Sequence, residues 1–552
     1  MQSNNGITAE ADRLAPPSAR FCVGAAILCW YLAMQLAYLS YGSPIRALDI
    51  SLLVVSLVAL WRYSWWFNHA RRARRYGRRF FPRLRARADA LSGERPPHLC
   101  VLVTSYRTQA PVSWTVYRSL IAELVAYGAP ATLLASVSDP ADEFLIRRCA
   151  GEVDPGGHVN IIVQFQDGSG KRVAIAEGLR ALSRQVSDED ALLVLMDGDT
   201  RVPPDTLRRT APFFFADPEL GALTLDNKAY SDGGVWSREW YELRLAQRHL
   251  LMQSMALSDR VLVLTGRFSM FRARLALRPD FIDQVERDSI QNWRLGRIDF
   301  LTGDDKSTWF WLLKNGWKML YVPDVCVDNI EIAPSAGFLR SSVQLMHRWF
   351  GNMLRVNGRA IALGPRRMGL FTWWCIVDQR LSMWTTLVGP ASVIWMTIAG
   401  WTHVVFAYLA WITVTRTIAA LVISRQRRRF SPFYIPLLYF QQIVGAAMKI
   451  HLSFRLNQQR WTRQKTGQRQ GGASGTGNRD VAAAMMQAVS VVAFFLAVGL
   501  ALDVAGLPRG SAIRAAAAAL TSDQPAGHGQ SVFPPAYALP QPAQPLGMLE
   551  PN

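Results

Sequence analysis

The sequence predicts an α/β domain with a mostly parallel sheet, inserted between transmembrane α-helices. Three observations predict it. Half of the 552 residues are hydrophobic and 19 are tryptophan, a residue that collects at lipid interfaces. The formal net charge is +20, and arginine clusters flank uncharged apolar stretches. Between these stretches, short apolar runs alternate with helical patterns, which is typical of a parallel sheet covered on both faces.

The N-terminal part predicts a helical hairpin in a membrane. Residues 21–45 carry no charge, and a second apolar stretch follows at 48–67. A secretory signal would have a shorter apolar region and a cleavage site of small residues. Nine arginines follow at 71–87, which marks the cytoplasmic side and attracts anionic lipid. Because its neighbours are predicted membrane segments, we expect this cluster to bind no nucleic acid.

Seven apolar runs predict the strands of a soluble domain. Helical patterns such as 172–186 and 238–257 separate most of them. Ligands of such sheets bind at the carboxyl ends of the strands, so polar residues directly after the runs are the site candidates. The runs are LCVLVTS (99–105), ATLLASVS (131–138), VNIIVQF (159–165), ALLVLMD (191–197), ALTLD (222–226), VLVLTG (261–266) and MLYVPDV (319–325).

The C-terminal part predicts further membrane elements. Two spans are predicted at 381–400 and 402–424, before the basic segment RQRRR at 425–429. Residues 432–455 are apolar enough to span, but basic clusters flank both ends. A cytoplasmic re-entrant or interface helix satisfies the positive-inside rule better. A last span is predicted at 481–503, and the Ala-, Pro- and Gln-rich tail should be disordered outside the cytoplasm.

These patterns divide the chain into nine segments. The six cysteines form no CxxC pair and are widely spread, which argues against a zinc site and a disulfide framework. The predicted segments are a cytoplasmic N-terminus (1–20), two membrane helices (21–67), a basic linker (68–96), the α/β domain (97–337), interface helices (338–380), two membrane helices (381–424), a cytoplasmic interface or re-entrant helix with a loop (425–480), a membrane helix (481–503) and a periplasmic tail (504–552).

Two acidic motifs follow apolar runs. Asp197 and Asp199 in DGDT come directly after LLVLM, and two carboxylates at that spacing can reach one hard divalent cation. An ordinary acidic turn is the alternative. Asp304 and Asp305 follow Gly303 at the start of a Trp-rich segment. If these two adjacent carboxylates are half buried, the pKa of one of them should be raised. The alternative is that the two acidic residues offset the dipole at a helix N-terminus.

Two basic motifs complement the carboxylates. Lys171 and Arg172 follow a glycine-rich turn and begin an amphipathic helix, which is a cradle suited to a diphosphate. The alternative is an ordinary loop-to-helix junction, and no GxxxxGK[ST] is present. Arg348 and Trp349 in LMHRW could meet a leaving diphosphate and a sugar ring. They could also be one more interface cation and one more interface aromatic.

Together and in this order, these motifs resemble the processive family 2 glycosyltransferases, such as the hyaluronan, cellulose, chitin and alginate synthases. In that family a D-x-D motif binds metal and nucleotide diphosphate, a G/T-E/D-D motif supplies the catalytic base, and Q-x-x-R-W closes the site. The resemblance implies a Rossmann-like GT-A fold. One departure is Leu345, which stands where the family has glutamine, with Gln344 one residue away.

The resemblance is closer to the glycosyltransferase subunits of bacterial alginate synthases, and it extends to about residue 505. It is carried by SREWYELRLAQRHLLMQSMALS (237–258), LTGDDKSTWF (301–310), QQIVGAAMKI (441–450) and RWTRQ (460–464). It implies an inverting enzyme of the bacterial inner membrane that builds β-1,4-linked polymannuronate from GDP-mannuronate. A channel made by its own spans, a cyclic-di-GMP-binding co-polymerase subunit and periplasmic export proteins are also implied.

The motifs and the resemblance together imply a set of site residues. Asp305 would be the catalytic base with Asp304 tuning it, and Mg²⁺ or Mn²⁺ would bind Asp199 and Asp197. The nucleotide and its diphosphate would contact Tyr106, Asp139, Lys171, Arg172, Asp197 and Arg348, together with Trp461 and Arg463 of a gating loop. The acceptor would contact Trp349 and the TGRFSMFR loop (265–272), which includes Thr265, Gly266 and Arg267.

A uronate polymer carries a carboxylate on every sugar, so its site should place a cation against it. Arg267 is the first candidate, with Arg248 and His249 next. The alternative is that Arg267 binds only backbone or a structural acid.

Two alternative functions of the protein stay open. One is synthesis of another β-linked polysaccharide from a UDP-sugar. The other is a non-catalytic membrane scaffold or exporter, which would not need both acidic motifs.

Overall fold

The computed structural model describes residues 45–91, 96–166, 170–299, 301–402, 404–427, 429–458 and 476–504. Ten strands lie within these ranges. They are β1 (Leu99–Thr104), β2 (Ala131–Val137), β3 (Val159–Phe165), β4 (Leu192–Asp197), β5 (Thr200–Arg201), β6 (Leu220–Ser231), β7 (Ser269–Arg272), β8 (Ile290–Asn292), β9 (Gly296–Ile298) and β10 (Lys318–Glu331).

Eight of the strands form one sheet in the order β3-β2-β1-β4-β7-β6-β10-β5. Neighbours pair in parallel from β3 to β4 and again between β6 and β10, whereas β7 and β5 run antiparallel to their neighbours. Strands β1, β2 and β4 are buried along almost their whole length. Continuous apolar runs are typical of such doubly covered strands, so the predicted mostly parallel sheet is confirmed.

Eighteen helices lie in the described ranges, besides a short π-helix at Tyr76–Phe80. They are α1 (Ile45–Arg75), α2 (Phe81–Ala90), α3 (Ala110–Tyr127), α4 (Pro140–Val153), α5 (Lys171–Ser183), α6 (Thr206–Thr210), α7 (Phe213–Ala216), α8 (Val235–Ala256), α9 (Ala273–Ala276), α10 (Pro279–Glu286), α11 (Asp304–Lys314), α12 (Phe338–Ala362), α13 (Gly364–Met368), α14 (Leu370–Thr385), α15 (Val388–Ile398), α16 (Val404–Arg427), α17 (Tyr434–Ser453) and α18 (Thr476–Val504).

The predicted strand at 261–266 is wrong. This segment has no strand pairing, and the strand of this region is β7, which begins at Ser269. Its backbone carbonyls accept hydrogen bonds from side chains instead of from a neighbouring strand. Trp309 Nε1 donates to the Val261 oxygen at 2.7 Å, and Lys306 Nζ donates to the Leu262 oxygen at 2.5 Å. The apolar run is therefore an extended loop that is held by side chains of α11.

Three helical stretches in the described ranges are long and apolar enough to cross a membrane. They are Leu370–Ile398, Val404–Arg427 and Asp480–Leu502. The first begins well before the predicted start at 381 and includes both α14 and α15. Helix α17 is not among the three, and its place at the cytoplasmic membrane face stays a prediction. Most of the first predicted span, 21–45, lies outside the described residues.

The last turn of α16 is tied to the sheet through a buried carboxylate. Arg427 Nη1 lies 2.6 Å from Asp226 Oδ2 on β6. Tyr321 on β10 donates to the same carboxylate at 2.9 Å, and His249 on α8 lies 3.1 Å from it. Burial alone would raise the pKa of Asp226, but His249 and the Arg427 guanidinium bring it down to about 2. One of the candidate membrane helices is thus anchored to the α/β domain.

Candidate active site

The carboxyl ends of the central strands meet at one edge of the sheet. Thr104 at the end of β1 is in register with Ser136 of β2 and with Asp197 of β4. Gly198 follows Asp197 and lies so close to Ser105 that a Cβ atom would overlap the serine side chain. The glycine of D-G-D therefore allows the chain to leave β4 tightly against the end of β1.

Lys171 joins the two acidic motifs. Its Nζ lies 2.7 Å from Asp197 Oδ1 and 2.8 Å from Asp304 Oδ2. Gly170, which precedes α5, has φ +119°, a conformation that favours glycine and that brings Lys171 to the first helical position. Burial alone would lower the pKa of Lys171, but the two carboxylates raise it. The charged ammonium therefore holds the end of β4 against the start of α11.

The two adjacent aspartates have different surroundings. Asp304 is buried and paired with Lys171. Asp305 is partly exposed, and among the described residues it makes no ion pair; its Oδ1 accepts a hydrogen bond from the Lys306 backbone at 2.8 Å. Burial and the charge of Asp304 raise the pKa of Asp305. A carboxylate with a raised pKa and an accessible oxygen is chemically suited to accept a proton.

The TGRFSMFR loop contributes backbone at the site, while its side chains are engaged within the protein. A Cβ on Gly266 would lie 3.1 Å from Asp197 Oδ2 and 3.2 Å from Lys171 Nζ, so this glycine touches the pair. Thr265 is buried, and its hydroxyl lies 3.1 Å from that of Thr224. Arg267 forms an ion pair with Glu331 of β10. The carboxylate that Arg267 contacts is therefore one of the protein's own.

Arg172 is corrected from a diphosphate contact to a structural residue. It is buried, and its guanidinium donates to the Leu301 and Val285 carbonyls and, at 2.7 Å, to Ser307 Oγ. Its hydrogen bonds to Leu301 and Ser307 hold the chain on either side of the TGDD turn. Its donors are directed at protein acceptors, so we withdraw it from the phosphate site.

Arg348 and Trp349 lie on α12. Burial alone would raise the pKa of Asp197, but Lys171, Arg267 and Arg348 lower it, so Arg348 acts electrostatically on the end of β4. Trp349 stacks on Trp240 with ring centroids 5.6 Å apart and an interplanar angle of 22°. Leu345, at the position of the family glutamine, is buried in the same apolar cluster. It therefore supplies no polar contact.

The sequence of this chain is similar to those of several known proteins. A profile described as "Glycosyltransferase like family 2" matches residues 96–352. Two proteins named "Glycosyltransferase alg8", from Pseudomonas syringae pv. tomato and Azotobacter vinelandii, are each 41% identical to this chain over 416 residues, which is 75% of this chain and 84% of theirs. The chain belongs to the alg8 glycosyltransferases. It is therefore a family 2 glycosyltransferase of the alginate type, and the predicted GT-A fold is confirmed.

More distant relatives of this alg8 family member were also found. The glucomannan 4-beta-mannosyltransferase 7 of Arabidopsis thaliana is 27% identical over 228 residues, which is 40% of this chain and 37% of that protein. Among solved structures, the mannosyltransferase PcManGT from Pyrobaculum calidifontis in complex with GDP-Man and Mn²⁺ is 16% identical. The match covers 69% of this chain and 98% of that one, with a TM-score of 0.38.

The structure describes only some of the residues that are predicted to hold the nucleotide. Tyr106 follows β1 and is partly exposed, with the Arg107 guanidinium 5.3 Å from its ring. Asp139 is exposed, and its Oδ1 accepts from Ala141 N at 2.9 Å as the N-cap of α4. Trp461 and Arg463 lie outside the described residues. Nucleotide contacts for these four residues stay predictions.

The donor set of the D-x-D motif fits a divalent cation. Mg²⁺ is commonly held by one or two carboxylates and completes its shell with water and phosphate oxygens. Asp197 and Asp199 supply that number, and the Ile330 backbone donates to the Asp199 carbonyl at 2.9 Å, which fixes the turn. Within the described ranges, no three His, Cys, Asp or Glu side chains are grouped so that they could hold a metal ion. The site is therefore suited to a metal ion whose further ligands come from the bound substrate.

The residues that hold the TGDD turn in place were not identified from the sequence. Buried Arg355 donates through Nη2 to Thr302 Oγ1 at 3.0 Å and to Asn352 Oδ1 at 2.7 Å, and Thr302 donates to Asn352 at 2.6 Å. Through Nη1 it also donates to the Leu456 carbonyl at 3.2 Å. Asn352 and Arg355 follow Arg348 at helical spacing on one face of α12. That spacing is the signal that could have identified them.

Proposed function

We propose that this protein polymerises mannuronate from GDP-mannuronate into a β-1,4-linked chain and helps to move the product across the inner membrane. The observation that carries the proposal is the contact of Lys171 with both Asp197 and Asp304. This contact brings the nucleotide-diphosphate motif and the base motif to one strand edge. Membership of the alg8 family supports a sugar donor of the alginate type.

The reaction is a single displacement that inverts C1 of the donor sugar. The acceptor hydroxyl oxygen attacks C1 and forms the new glycosidic bond. The bond between C1 and the β-phosphate oxygen breaks, and GDP departs with its electron pair. Asp305 takes the proton of the acceptor hydroxyl, and its raised pKa makes it a stronger base than an ordinary aspartate.

The other site residues bind and orient the reactants. Lys171 and Arg348 face the negative charge that develops on the leaving diphosphate. Gly266 has no side chain, which leaves room at the contact between Asp197 and Lys171. Asp199 and Asp197 would hold a divalent cation, which supplies positive charge to the diphosphate when bound. Trp349 would offer its ring to the apolar face of the acceptor sugar.

The proposed location follows from the charge asymmetry of the sequence. The three apolar helical stretches are long enough to cross the membrane, and the arginine-rich C-terminal ends of α1 and α16 would stay in the cytoplasm with the α/β domain. The polymer would leave through a channel between these helices. A cyclic-di-GMP-binding co-polymerase subunit and periplasmic export proteins are the proposed partners.

The test is a donor comparison in membrane vesicles that contain the chain. GDP-mannuronate, GDP-mannose and UDP-glucose are supplied separately with Mg²⁺, and polymer and released nucleotide are measured. We expect polymer from GDP-mannuronate alone. Polymer from UDP-glucose would establish the alternative synthase. Failure of the chain to bind GDP in the presence of Mg²⁺ would support a non-catalytic scaffold.

A further inference from the structure

Helix α8 places an arginine against the aromatic pair next to the proposed acceptor position. The Arg244 guanidinium carbon lies 4.3 Å from the Trp349 ring centroid and 5.2 Å from that of Trp240. Trp240 is fully buried, whereas Trp349 and Arg244 keep part of their surface accessible. The cation therefore lies beside the aromatic ring that we assign to the acceptor sugar.

Arg244 has no acidic partner in the described part of the chain, and its guanidinium lies against the two indole rings. Burial is the main reason that its pKa is lowered to about 10, and the charge of Arg267 lowers it further. An enclosed guanidinium without a carboxylate is unfavourable, and proteins usually pair such a charge. The position is therefore suited to an anion that is supplied by a ligand.

The other cations near the site are already engaged. Arg267 pairs with Glu331, and Arg172 donates to backbone carbonyls and Ser307. Arg248, one turn after Arg244 on α8, donates to Asn227 Oδ1 at 2.6 Å. Its two remaining guanidinium nitrogens are buried without a partner in the described ranges, so solvent and ligand do not reach them. Arg244 keeps part of its surface accessible and has no acidic partner among the residues that the structure describes.

A second cation contacts one of the candidate membrane helices and is close enough to Arg244 to feel its charge. Lys449 on α17 lies 5.0 Å from the Phe350 ring, and its Nζ donates to Ser382 Oγ of α14 at 3.5 Å. The charges of Arg62, Asp378 and Arg244 all act on it. Asp378 forms its ion pair with Arg62 at 2.5 Å, and in the described ranges Lys449 makes no direct ion pair. Positive charge therefore continues from the aromatic pair to the apolar helices.

We infer that Arg244 binds the carboxylate of the acceptor sugar at Trp349, and that Lys449 meets a following carboxylate of the polymer as it leaves. The inference rests on the proposed function, because only a uronate polymer presents one negative charge on every sugar. A neutral glucan would leave both cations unpaired. Arg244 thus replaces Arg267 as the residue that selects a charged product.

The test compares Arg244→Gln with Arg244→Lys, and with Arg238→Gln as a control on the exposed side of the same helix. Polymer formation from GDP-mannuronate, polymer length, GDP binding and the amount of folded protein are measured. A charge-assisted hydrogen bond is worth about tenfold or more in an equilibrium constant. We therefore expect Arg244→Gln to lose about tenfold or more in polymer formation with unchanged GDP binding, and Arg244→Lys to recover most of it. Lys449→Gln should shorten the polymer.

Several results would overturn the inference. It fails if Arg244→Gln polymerises as well as Arg238→Gln does, or if Arg244→Lys is folded and yet as inactive as Arg244→Gln. Loss of GDP binding in Arg244→Gln would assign the residue to the nucleotide instead. A different result would refute the proposed function itself, namely that the unmodified chain makes no polymer from GDP-mannuronate. A chain that polymerises this donor equally well without the Arg244 charge would keep the function and refute the inference.

Discussion

At the scale of single residues, the two adjacent aspartates of the TGDD turn have different surroundings, which is the basis for proposing different roles for them. Asp304 is buried and bound to Lys171, whereas Asp305 is accessible and makes no ion pair in the described ranges. The sequence allowed the prediction that one carboxylate of the pair has a raised pKa. It could not show which one, because the choice depends on Lys171, which is 133 positions away from Asp304 in the chain.

The first prediction concerns Asp305→Asn. The amide keeps the shape of the side chain but cannot accept the proton, and loss of a general base costs about 10²–10⁴-fold in rate. We expect polymerisation to fall in that range while GDP binding persists, as measured in vesicles and by equilibrium binding. An Asp305→Asn chain that keeps more than about half of its activity would show that another group is the base.

The second prediction is a pH dependence. Because burial and Asp304 raise the pKa of Asp305, the proportion of ionised base falls at a higher pH than for an ordinary aspartate, whose pKa is about 3.9. The rate of polymerisation at saturating donor should therefore decline as the pH falls through this raised pKa. A rate that stays constant down to about pH 4, with protein still folded, would contradict the assignment.

The third prediction separates two roles for Arg267. If Arg267 serves mainly to hold Glu331, then Arg267→Leu and Glu331→Gln should lower polymerisation to a similar degree, and the double variant should be no worse than either single variant. If Arg267 instead binds a sugar carboxylate, Arg267→Leu should abolish polymerisation and Glu331→Gln should preserve it. GDP binding serves as the control, since equal loss of it would assign Arg267 to the diphosphate.

At the scale of elements, turns between strands and helices bring the functional groups together. The D-G-D turn after β4, the Gly170 turn before α5 and the TGDD turn before α11 all end at the same edge of the sheet. Alternation of apolar runs and helical patterns was sufficient to predict most strands. It was not sufficient at 261–266, because an apolar run also fits a buried loop whose carbonyls are bound by Trp309 and Lys306.

The fourth prediction concerns the turn at Gly266. Gly266→Ala would place a methyl group about 3.1 Å from Asp197 Oδ2 and 3.2 Å from Lys171 Nζ, closer than ordinary van der Waals contact. We expect weaker GDP binding and slower polymerisation, because the pair must move apart. Gly151→Ala is the control, since no atom lies within 4 Å of its added Cβ. Equal behaviour of the two variants would show that the contact is not needed.

At the scale of the whole molecule, ion pairs tie distant elements together. Arg427 of α16 binds Asp226 of β6, which joins a candidate membrane helix to the α/β domain, and Arg62 of α1 binds Asp378 of α14, which joins two helices outside that domain. Hydropathy and charge clusters allowed the membrane helices to be predicted, but these pairs could not be. In the sequence, Asp226 is the last residue of an apolar run and would be taken for the end of a strand. Only the fold shows that it binds Arg427, in the last turn of a helix about 200 residues later.

The fifth prediction concerns topology. The arginine cluster at 71–87 and the basic segment at 425–429 should both be cytoplasmic, and the chain after 504 should be periplasmic. Reporter fusions at about residues 90, 430, 468 and 520 test this arrangement. We expect cytoplasmic signals at the first three positions and a periplasmic signal at the last. A periplasmic signal at 468 would mean that 432–455 crosses the membrane.

The shared lysine has a consequence for the order of events during catalysis. Lys171 carries a single positive charge, and Asp197 and Asp304 both depend on it while no donor is bound. A diphosphate that draws this ammonium toward itself would leave Asp304 less neutralised. The neighbouring Asp305 would then hold a proton more strongly. The enzyme would thus acquire its strongest base only after the sugar nucleotide has arrived, which makes loading of the donor the timing signal for attack by the acceptor.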